Sequence, residues 1–321
     1  MTKYCKRQVV ILKSAKNNAA TGPDVKIWQN IRNMLLEGKT LAATICQSLP
    51  ERAEAVRHKL GRALKLYAYC NVDDYAAYVY LHKEVQAAQK LGVETKVFHL
   101  SDDMDAEAFL EMLTSASKDP AVDAILIARP LPAQLEACGY ERVLAPEKDI
   151  DGMSCSNMGN LFLCKTWQEV EQLPGFVPCT ALAVVRLLQY HHIPLEGVEA
   201  TVIGRSPTVG RPLAHLLTCQ NATVKICHTK TQDLKHSLAG AQLICCASGK
   251  AGLLRADMVC GGSTVIDIAT NLSPDGALCG DADSAALLAK GCKVSPVPGG
   301  VGPVTLACLL ENIILSGERK I

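Results

Sequence analysis

The feature that most constrains this chain is a strand–turn–helix–strand pattern over residues 200–231, ATVIGRSPTVGRPLAHLLTCQNATVKICHTKT. An apolar run ends at Ile203, and a glycine-punctuated turn follows from Gly204 to Gly210. A helical pattern begins at Pro212, and a second β-like run covers residues 222–227. This order of elements predicts a βαβ unit, in which a crossover helix joins two parallel strands.

The turn of this unit has the composition of a dinucleotide-binding turn. Glycines let the backbone approach a pyrophosphate closely, and the free N–H groups at the start of the following helix stabilise its charge. The spacing from Gly204 to Gly210 nevertheless differs from the common G-x-G-x-x-G pattern. The turn alone therefore leaves two interpretations open, a nucleotide site or a strand–helix turn without a ligand.

Length, charge and cysteine usage limit the class of protein. A chain of 321 residues favours two domains, and its formal charge of +1 implies no surface for nucleic acids. No apolar run approaches a membrane span, and the N-terminal region lacks the apolar core of a secretory signal. The 15 cysteines are odd in number and include no C-x-x-C pair. They favour core thiols in a reducing, cytoplasmic setting over a disulfide framework or a metal site.

Helical and strand patterns organise the chain after residue 35, whereas residues 1–33 resemble an added strand or partner-binding arm more than a transit peptide. We predict helices over 36–60, 75–91, 105–117, 181–191 and 304–315. We predict further strands over 64–70, 93–100, 124–128, 241–248 and 263–268, and an irregular region over 146–173. Asp73 and Asp74 are expected to cap the second helix, and Thr180 the fourth. Alternating strands and helices indicate an α/β fold with parallel sheets.

Two proline-containing segments mark places where ligands are expected. Residues 129–132 break a strand at its carboxyl end, where open α/β sheets bind ligands. Residues 296–303, PVPGGVGP, are too rich in proline and glycine for regular structure, and they lead into a helix N-terminus with free N–H groups. A stiff linker without a ligand is the alternative for this second segment.

Together these segments resemble the methylenetetrahydrofolate dehydrogenase/cyclohydrolase family. The matching strings are LEGK from Leu36, PLP from Pro130, PEKDIDG from Pro146, PCT from Pro178, VIGRSPTVGRP from Val202, CHTKT from Cys227, VID from Val265, GD from Gly280 and PVPGGVGPVT from Pro296. They follow the family's order to the C-terminus. The combination of PVPGGVGP with GRS-x-x-VG-x-P is the most specific part of the resemblance.

The resemblance implies a two-domain α/β fold with a cleft between the domains. After an N-terminal extension, residues 1–33, a folate-binding catalytic domain would comprise residues 34–179 and the C-terminal helix, 304–321. A Rossmann-like domain with a parallel sheet would bind the cofactor over residues 180–303, and the family commonly forms homodimers through it. The family oxidises 5,10-methylenetetrahydrofolate with NADP or NAD, and many members also hydrolyse the methenyl product to 10-formyltetrahydrofolate.

By this resemblance NADP is the expected cofactor, with NAD possible. Arg205 matches the family's ligand for the 2′-phosphate, and Thr229 and Lys230 add a hydroxyl and a second cation that suit a phosphate. Without the resemblance, Arg205 would be interpreted as a solvated loop charge. The residues expected to bind the cofactor are Gly204, Arg205, Ser206, Thr208, Val209, Gly210, His228, Thr229, Lys230, Ser248 and Asn271.

The catalytic side chains that the resemblance implies differ here from the family pattern. The family carries Tyr-x-x-x-Lys on a helix, a Gln before the Pro-Leu-Pro and an Asp in the K-D-x-D-G loop, and its Lys acts as general acid and base. Here Tyr80 and Asp151 are kept, but Glu84 stands in the Lys position and Ala128 in the Gln position. The residues expected to bind the folate substrate are Ala128, Arg129, Pro130, Leu131, Pro298, Gly299, Gly300, Val301 and Pro303.

Two hypotheses address the missing lysine. Lys83 lies about 60° from Tyr80 around the helix, and Glu84 lies about 40° to the other side. Lys83 is therefore a candidate catalytic residue, although a solvated surface charge is favoured. Arg129 replaces the family's Leu, and we hypothesise that Glu84 and Arg129 form a charge pair in place of the Lys/Gln pair.

Two functional classes are compatible with this pattern. The first is a dehydrogenase with weak or absent cyclohydrolase activity, because hydride transfer needs the nicotinamide and the folate carbon held face to face rather than a titrating side chain. The second is a catalytically silent paralogue that binds a dinucleotide or pterin as a regulatory or assembly subunit. A variant of the first is an enzyme for another one-carbon carrier, whose acidic group Arg129 would bind.

Overall fold

The computed structural model of the protein describes residues 33–321, so the predicted N-terminal extension lies outside the described residues except for Asn33. The helices are α1 (Lys39–Gln47), α2 (Leu49–Leu60), α3 (Tyr75–Lys90), α4 (Ala106–Lys118), α5 (Ala133–Ala137), α6 (Cys155–Leu163), α7 (Trp167–Glu171), α8 (Cys179–Tyr190), α9 (Gly210–Cys219), α10 (Leu234–Ser237), α11 (Ser284–Ala289) and α12 (Val301–Glu318). The strands are β1 (Lys65–Asn71), β2 (Glu94–Leu100), β3 (Ala124–Ile127), β4 (Glu199–Ile203), β5 (Thr223–Cys227), β6 (Leu243–Cys246), β7 (Thr264–Asp267), β8 (Asn271–Leu272), β9 (Leu278–Cys279) and β10 (Lys293–Val294).

The chain divides into two compact units. The five-stranded unit contains residues 33–41 and 180–305, and the three-stranded unit contains residues 42–179 and 306–321. The sequence-based boundary placed residues 34–41 in the other domain. They belong to the five-stranded unit because Leu36 N donates to Val294 O (2.9 Å) and Gly38 N donates to Gly299 O (2.9 Å).

A parallel sheet with strand order β2-β1-β3 forms the centre of the three-stranded unit. Phe109 and Leu113 of α4 pack with Tyr69 and Ile125 of the strands in its buried core. The Asp74 side chain caps α3 by accepting from Ala77 N (2.8 Å), which confirms the predicted cap. The strand order reverses between β1 and β3, so their carboxyl ends flank a position where open α/β sheets bind ligands.

Two sequence-based predictions for this unit are wrong. The single helix over 36–60 is two helices, because Pro50 lacks the N–H that a continuous helix would need and occupies the first turn of α2. The region 146–173 is not irregular, since it contains α6 and α7. The Ser154 side chain caps α6, and Thr166 and Glu169 form a capping box at the start of α7.

The five-stranded unit has a parallel sheet with strand order β10-β7-β6-β4-β5. This is the order of a doubly wound α/β fold, and it reverses between β4 and β6. The βαβ unit predicted from residues 200–231 is β4-α9-β5, although α9 begins at Gly210 rather than at Pro212. The predicted α/β class with parallel sheets in two units is confirmed.

Helix α12 starts at Val301, three residues before its predicted start. Gly302 and Pro303 therefore lie in its first turn, where a proline is tolerated because its N–H would have no partner within the helix. By length and composition α12 could cross a membrane, but 67% of this stretch is buried. Its burial accounts for its apolar composition, as in the core helix of a folded domain.

Candidate active site

The carboxyl ends of β1 and β3 bring together the elements that carry the predicted catalytic residues. Helix α3 follows β1, and Ala128 and Arg129 follow β3. The segment that precedes Asp151 runs beside β3, because Ile125 N donates to Lys148 O (2.6 Å) and Ile150 N donates to Ile125 O (3.4 Å). This parallel arrangement directs Asp151 toward the carboxyl end of β3. The three segments thus meet where the strand order reverses.

Three titratable side chains interact electrostatically at this position: Tyr80, Glu84 and Asp151. Burial raises the pKa of the Glu84 carboxyl to about 8, with Asp151 as a second cause, and the residue is only 9% exposed. Burial raises the pKa of Asp151 to about 6, assisted by Asp149 and opposed by a hydrogen bond from Cys179 N (3.2 Å). At pH 7, Glu84 is therefore mainly a neutral carboxylic acid and Asp151 is mainly ionised.

Tyr80 and Cys179 belong to the same group of interacting side chains. Burial raises the pKa of the Tyr80 hydroxyl above its ordinary value, and Glu84 and Asp151 add to this, although 43% of the tyrosine is exposed. The pKa of Cys179 is also raised, chiefly by burial and then by Asp151. Helix α8 begins at Cys179 because Asp151 accepts from its N–H, so the predicted N-cap at Thr180 is wrong. Sequence reasoning did not identify Cys179, because its PCT string has no acid/base signature.

Lys83 and Glu84 differ in their surroundings although they are adjacent in α3. Lys83 is exposed and makes no ion pair with any described residue, whereas Glu84 is buried. This difference follows from the helical period, which turns neighbouring side chains by about 100°. The structure therefore supports the solvated interpretation of Lys83 over its catalytic alternative.

The hypothesised charge pair between Glu84 and Arg129 is wrong. The Arg129 guanidinium pairs with Glu136, donates to Tyr140 Oη (2.7 Å) and lies 3.9 Å from Glu141. Glu136 also accepts from Leu131 N (3.0 Å), so it closes the turn that contains Pro130. Arg129 therefore takes its counter-charge from α5, seven residues further along the chain, and Glu84 has no ion-pair partner among residues 33–321.

The turn after β3 presents backbone and apolar groups rather than an amide. Ala128 N donates to Tyr69 O (2.8 Å), which extends the pairing of β3 with β1, and the Ala128 methyl offers no hydrogen bond. The Arg129–Pro130 peptide is cis, and Leu131 is buried while Pro130 is exposed. The turn therefore holds the predicted substrate-binding residues 128–131 at the edge of the sheet, but it offers no side-chain amide in the place of the family's glutamine.

In the five-stranded unit, the glycine turn after β4 is closely packed. A Cβ on Gly204, whose φ is +129°, would lie 2.3 Å from Ala247 O, and one on Gly210 would lie 2.2 Å from Gly204 O. Ser206 Oγ accepts from Val209 N (3.1 Å) and from Gly210 N (3.3 Å). Only glycine fits at these two positions, and the turn stands at the carboxyl ends of β4 and β6, where the strand order reverses.

Cationic and hydroxyl side chains stand beside the glycine turn. Ile203 pairs with Cys227 in the sheet, so Arg205 and the segment from His228 to Lys230 leave neighbouring strand ends. His228 Nδ1 accepts from Lys230 N (3.1 Å), which holds this segment in a tight turn. Arg205, Thr229 and Lys230 are exposed, and the two cations make no ion pair within the described part of the chain. Thr208 lies against Ser206, with 3.4 Å between their hydroxyl oxygens.

Ser248 and Asn271 are both bound to a buried carboxylate, Asp281. Asp281 Oδ2 accepts from Ser248 N (2.7 Å), from Ser248 Oγ (2.7 Å) and from Gly249 N (3.1 Å). Its other oxygen accepts from Asn271 Nδ2 (2.9 Å). Sequence analysis had Asp281 only as part of the GD string, and no local signal indicated that it organises the loop after β6.

The PVPGG part of the C-terminal segment packs against the LEGK string. A Cβ on Gly38 would lie 2.0 Å from Gly300 O, so the two chains approach as closely as glycine allows. Gly300 N donates to Pro296 O (2.7 Å), and the Val297–Pro298 peptide is cis. Of the predicted substrate-binding residues here, Pro298 is exposed, Pro303 is half-buried, and Gly299, Gly300 and Val301 are buried. Across residues 33–321, no three His, Cys, Asp or Glu side chains are grouped to hold a metal ion.

Comparison with known proteins gives two matching family models. The model for the catalytic domain of tetrahydrofolate dehydrogenase/cyclohydrolase matches residues 36–151. The model for the NAD(P)-binding domain of the same family matches residues 178–321. The two matches fall on the segments that form the two groups of candidate site residues.

Individual relatives agree over most of the chain. The bifunctional protein FolD of Elusimicrobium minutum is 50% identical, over 90% of this chain and 100% of the relative. The crystal structure of the bifunctional enzyme FolD, a methylenetetrahydrofolate dehydrogenase/cyclohydrolase from Campylobacter jejuni, is 36% identical with a TM-score of 0.82, and the match covers 89% of this chain and 99% of that one. The Trypanosoma brucei methylenetetrahydrofolate dehydrogenase-cyclohydrolase, complexed with NADP and an inhibitor, is 28% identical with a TM-score of 0.79, covering 89% and 97%.

Proposed function

The chain belongs to the tetrahydrofolate dehydrogenase/cyclohydrolase family, and from this premise we propose that it transfers a hydride from 5,10-methylenetetrahydrofolate to NADP. The observation that carries the proposal is the closely packed turn from Gly204 to Gly210 at the reversal of a parallel sheet. Glycines in such a turn let a pyrophosphate approach the backbone closely. When bound, the cofactor supplies the hydride acceptor, and the chain's own residues bind and orient the reactants.

NADP is favoured over NAD by the exposed side chains beside the glycine turn. A 2′-phosphate carries negative charge and accepts several hydrogen bonds, and the group of Arg205, Thr229 and Lys230 offers two cations and a hydroxyl. Neither cation is engaged by a described carboxylate, so both are available to a ligand. The NADP in the Trypanosoma brucei relative is consistent with this preference.

The dehydrogenase step does not need the lysine that Glu84 replaces. Hydride transfer moves no proton at the enzyme, so its rate depends on how the two reactants are held. A neutral Glu84 at pH 7 is also compatible with a neutral substrate in a buried site. We propose that Tyr80, Asp151 and the turn from Ala128 to Leu131 form the folate-binding side of the three-stranded unit.

The cyclohydrolase step is proposed to be weak. Attack of water on the methenyl carbon needs a positioned group that accepts a proton, and the lysine that the family uses for this is replaced here by Glu84. Ala128 also lacks the amide that would orient a proton carrier. A silent regulatory subunit is not favoured, because a relative 50% identical over its whole length is named as a bifunctional protein. The homodimer and the cytoplasmic location expected from the sequence stay proposals.

A single assay tests this function. Purified protein is mixed with 5,10-methylenetetrahydrofolate and NADP, and the absorbance of NADPH and of the methenyl product is followed. We expect both to accumulate, with slow loss of the methenyl product. The double variant E84K/A128Q should hydrolyse it at least about tenfold faster, the lower range for a positioned general acid or base. Absence of NADPH formation with both NADP and NAD would refute the proposal.

The variant Lys83→Ala is the matched control. It removes a cation from the same helix but from the exposed side, so we expect unchanged rates for both steps. If Lys83→Ala instead abolished hydrolysis of the methenyl product, Lys83 would be the proton carrier, and the account of weak cyclohydrolase activity given above would be wrong.

A further inference from the structure

Glu84 is a buried carboxyl without a partner. It is 9% exposed, and no described residue forms a hydrogen bond or an ion pair with it. The enclosed side-chain atoms without a hydrogen-bond partner among the described residues are Tyr69 Oη and Gln220 Nε2, so the oxygens of Glu84 are not sealed off and a ligand group can reach them. The hydroxyl of Tyr80, one helical turn earlier on the same face, also has no hydrogen-bond partner among the described residues.

The charges around Glu84 define which ligand group would satisfy it. Tyr80 faces it from its own helix, and Asp151 and Cys179 face it from the segments packed against α3. All three are acids or neutral groups. The charge of Arg129 slightly lowers the pKa of Asp151, but the Arg129 guanidinium itself is bound to Glu136 and Tyr140. The three-stranded unit thus supplies no cation to Glu84, and a positive ligand group would complement it.

The proposed reaction creates such a group. The carbon between N5 and N10 of methylenetetrahydrofolate loses a hydride, because its C–H bond breaks and both electrons pass with the hydrogen to C4 of the nicotinamide. NADP becomes NADPH, and the folate carbon becomes an amidinium cation shared with the two nitrogens. The substrate is neutral at this carbon and the product is positive, so a nearby carboxylate stabilises the product and the transition state that leads to it.

We propose that Glu84 is a specificity-determining residue that ionises when the site holds the methenyl cation, so that the protein selects the cationic product over neutral folates. This inference rests on the proposed function and deepens it. The carboxyl gives its proton to solvent as the cation binds, so the net charge of the site is the same in both states. The family's lysine in this position would instead repel the cation, so the replacement by Glu84 favours the dehydrogenase product over its hydrolysis.

Calorimetry of the full-length protein tests the proposal. Binding of 5,10-methenyltetrahydrofolate and of tetrahydrofolate is measured at pH 7 in two buffers of different ionisation enthalpy, soon after mixing. The free carboxyl is protonated because its pKa is about 8, and the cation lowers that pKa. Close to one proton should therefore be released with the methenyl ligand and about none with tetrahydrofolate. Asp151, with a pKa of about 6, is already mainly ionised and contributes little.

Variants at the same helix provide the controls. Glu84→Gln should abolish the proton release and reduce the preference for the methenyl ligand over tetrahydrofolate by about tenfold or more, the effect of an opposite charge at short range. Glu84→Asp should retain the release. Gln86→Glu, which adds a carboxylate to the exposed side of α3, should change neither quantity.

The possible failures can be told apart. If both ligands bind but the wild-type protein releases no proton, the role of Glu84 is refuted while the dehydrogenase proposal stands. The same conclusion follows if Glu84→Gln binds both ligands with wild-type preference and releases as many protons as the wild-type protein. If neither folate binds and no NADPH forms, the proposed function itself fails. If Glu84→Gln does not fold, the proton release measured with the wild-type protein alone decides whether Glu84 has the proposed role.

Discussion

The charge of a side chain in this protein depends on neighbours that come from several segments. Glu84 keeps its proton because α3 buries it and because Asp151 approaches from the segment beside β3. The sequence alone identified the replacement of a lysine by Glu84, but it predicted a charge pair with Arg129. That prediction failed because Glu136, seven residues further along and beyond a turn at Pro130, is the nearer partner. A pairing of this kind depends on the path of the backbone, which residue types do not specify.

Arg205 illustrates a residue whose role can be tested by charge alone. Arg205→Gln removes a cation from the strand end where the 2′-phosphate is proposed to bind. We expect KM for NADP to rise about tenfold or more, since a hydrogen bond to a charged group is worth about 1.5–3 kcal/mol, and KM for NAD to change little. Steady-state rates with both cofactors provide the measurement.

Lys225→Gln is the matched control for Arg205→Gln, because it removes the same charge from within β5, where Lys225 Nζ donates to Ser237 O (2.9 Å). This variant should leave both KM values unchanged. An equal rise of KM for NADP and NAD in Arg205→Gln would contradict binding of the 2′-phosphate by Arg205.

At the scale of elements, local signals decided which predictions succeeded. Helix α3 was predicted because Asp74 precedes it as a cap, and the strands were predicted from their apolar runs. Helix α7 was missed, although Thr166 and Glu169 have the spacing of a capping box that could have revealed it. The start of α12 was misplaced because glycine and proline at 302 and 303 suggest a loop, whereas a first helical turn accepts both. The loop after β6 had no sequence signal, because its organising residue lies more than thirty positions away.

Asp281 should therefore control the geometry of that loop. Asp281→Asn replaces one carboxylate oxygen by an NH₂ group, which cannot accept from the N–H and hydroxyl groups of Ser248 and from Gly249 N. We expect KM for NADP to rise about tenfold with kcat at saturating NADP changed less than about twofold, because loss of an acceptor for buried donors costs roughly 1–3 kcal/mol. Initial rates over a range of NADP concentrations give the two constants separately.

The control for Asp281→Asn is Asp275→Asn, which makes the same chemical change on the exposed turn between β8 and β9. It should alter neither constant. A fall of kcat in Asp281→Asn without a rise of KM would show that Asp281 acts on something other than cofactor binding.

For the whole molecule, the candidate residues divide between two units that each continue through distant parts of the chain. The five-stranded unit includes residues 33–41, and the three-stranded unit includes residues 306–321. The family resemblance implied the return of the C-terminal helix, but it placed residues 34–41 with the other domain. Their pairing with Val294 and Gly299 depends on backbone hydrogen bonds, which leave little trace in residue type. The proposed function requires that each ligand stabilise its own set of segments.

Hydrogen–deuterium exchange with single ligands tests this division. NADP alone should slow exchange in residues 203–211, 227–231 and 246–249, whereas tetrahydrofolate alone should slow it in 72–84, 127–131 and 149–152. At about 100 times Kd the stabilisation is about 2.7 kcal/mol, so exchange that requires ligand release slows about a hundredfold. In Arg205→Gln the protection by NADP should weaken while the protection by tetrahydrofolate stays. Protection of the same segments by both ligands would contradict the separation of cofactor and folate residues, because a ligand protects the backbone that its own binding orders.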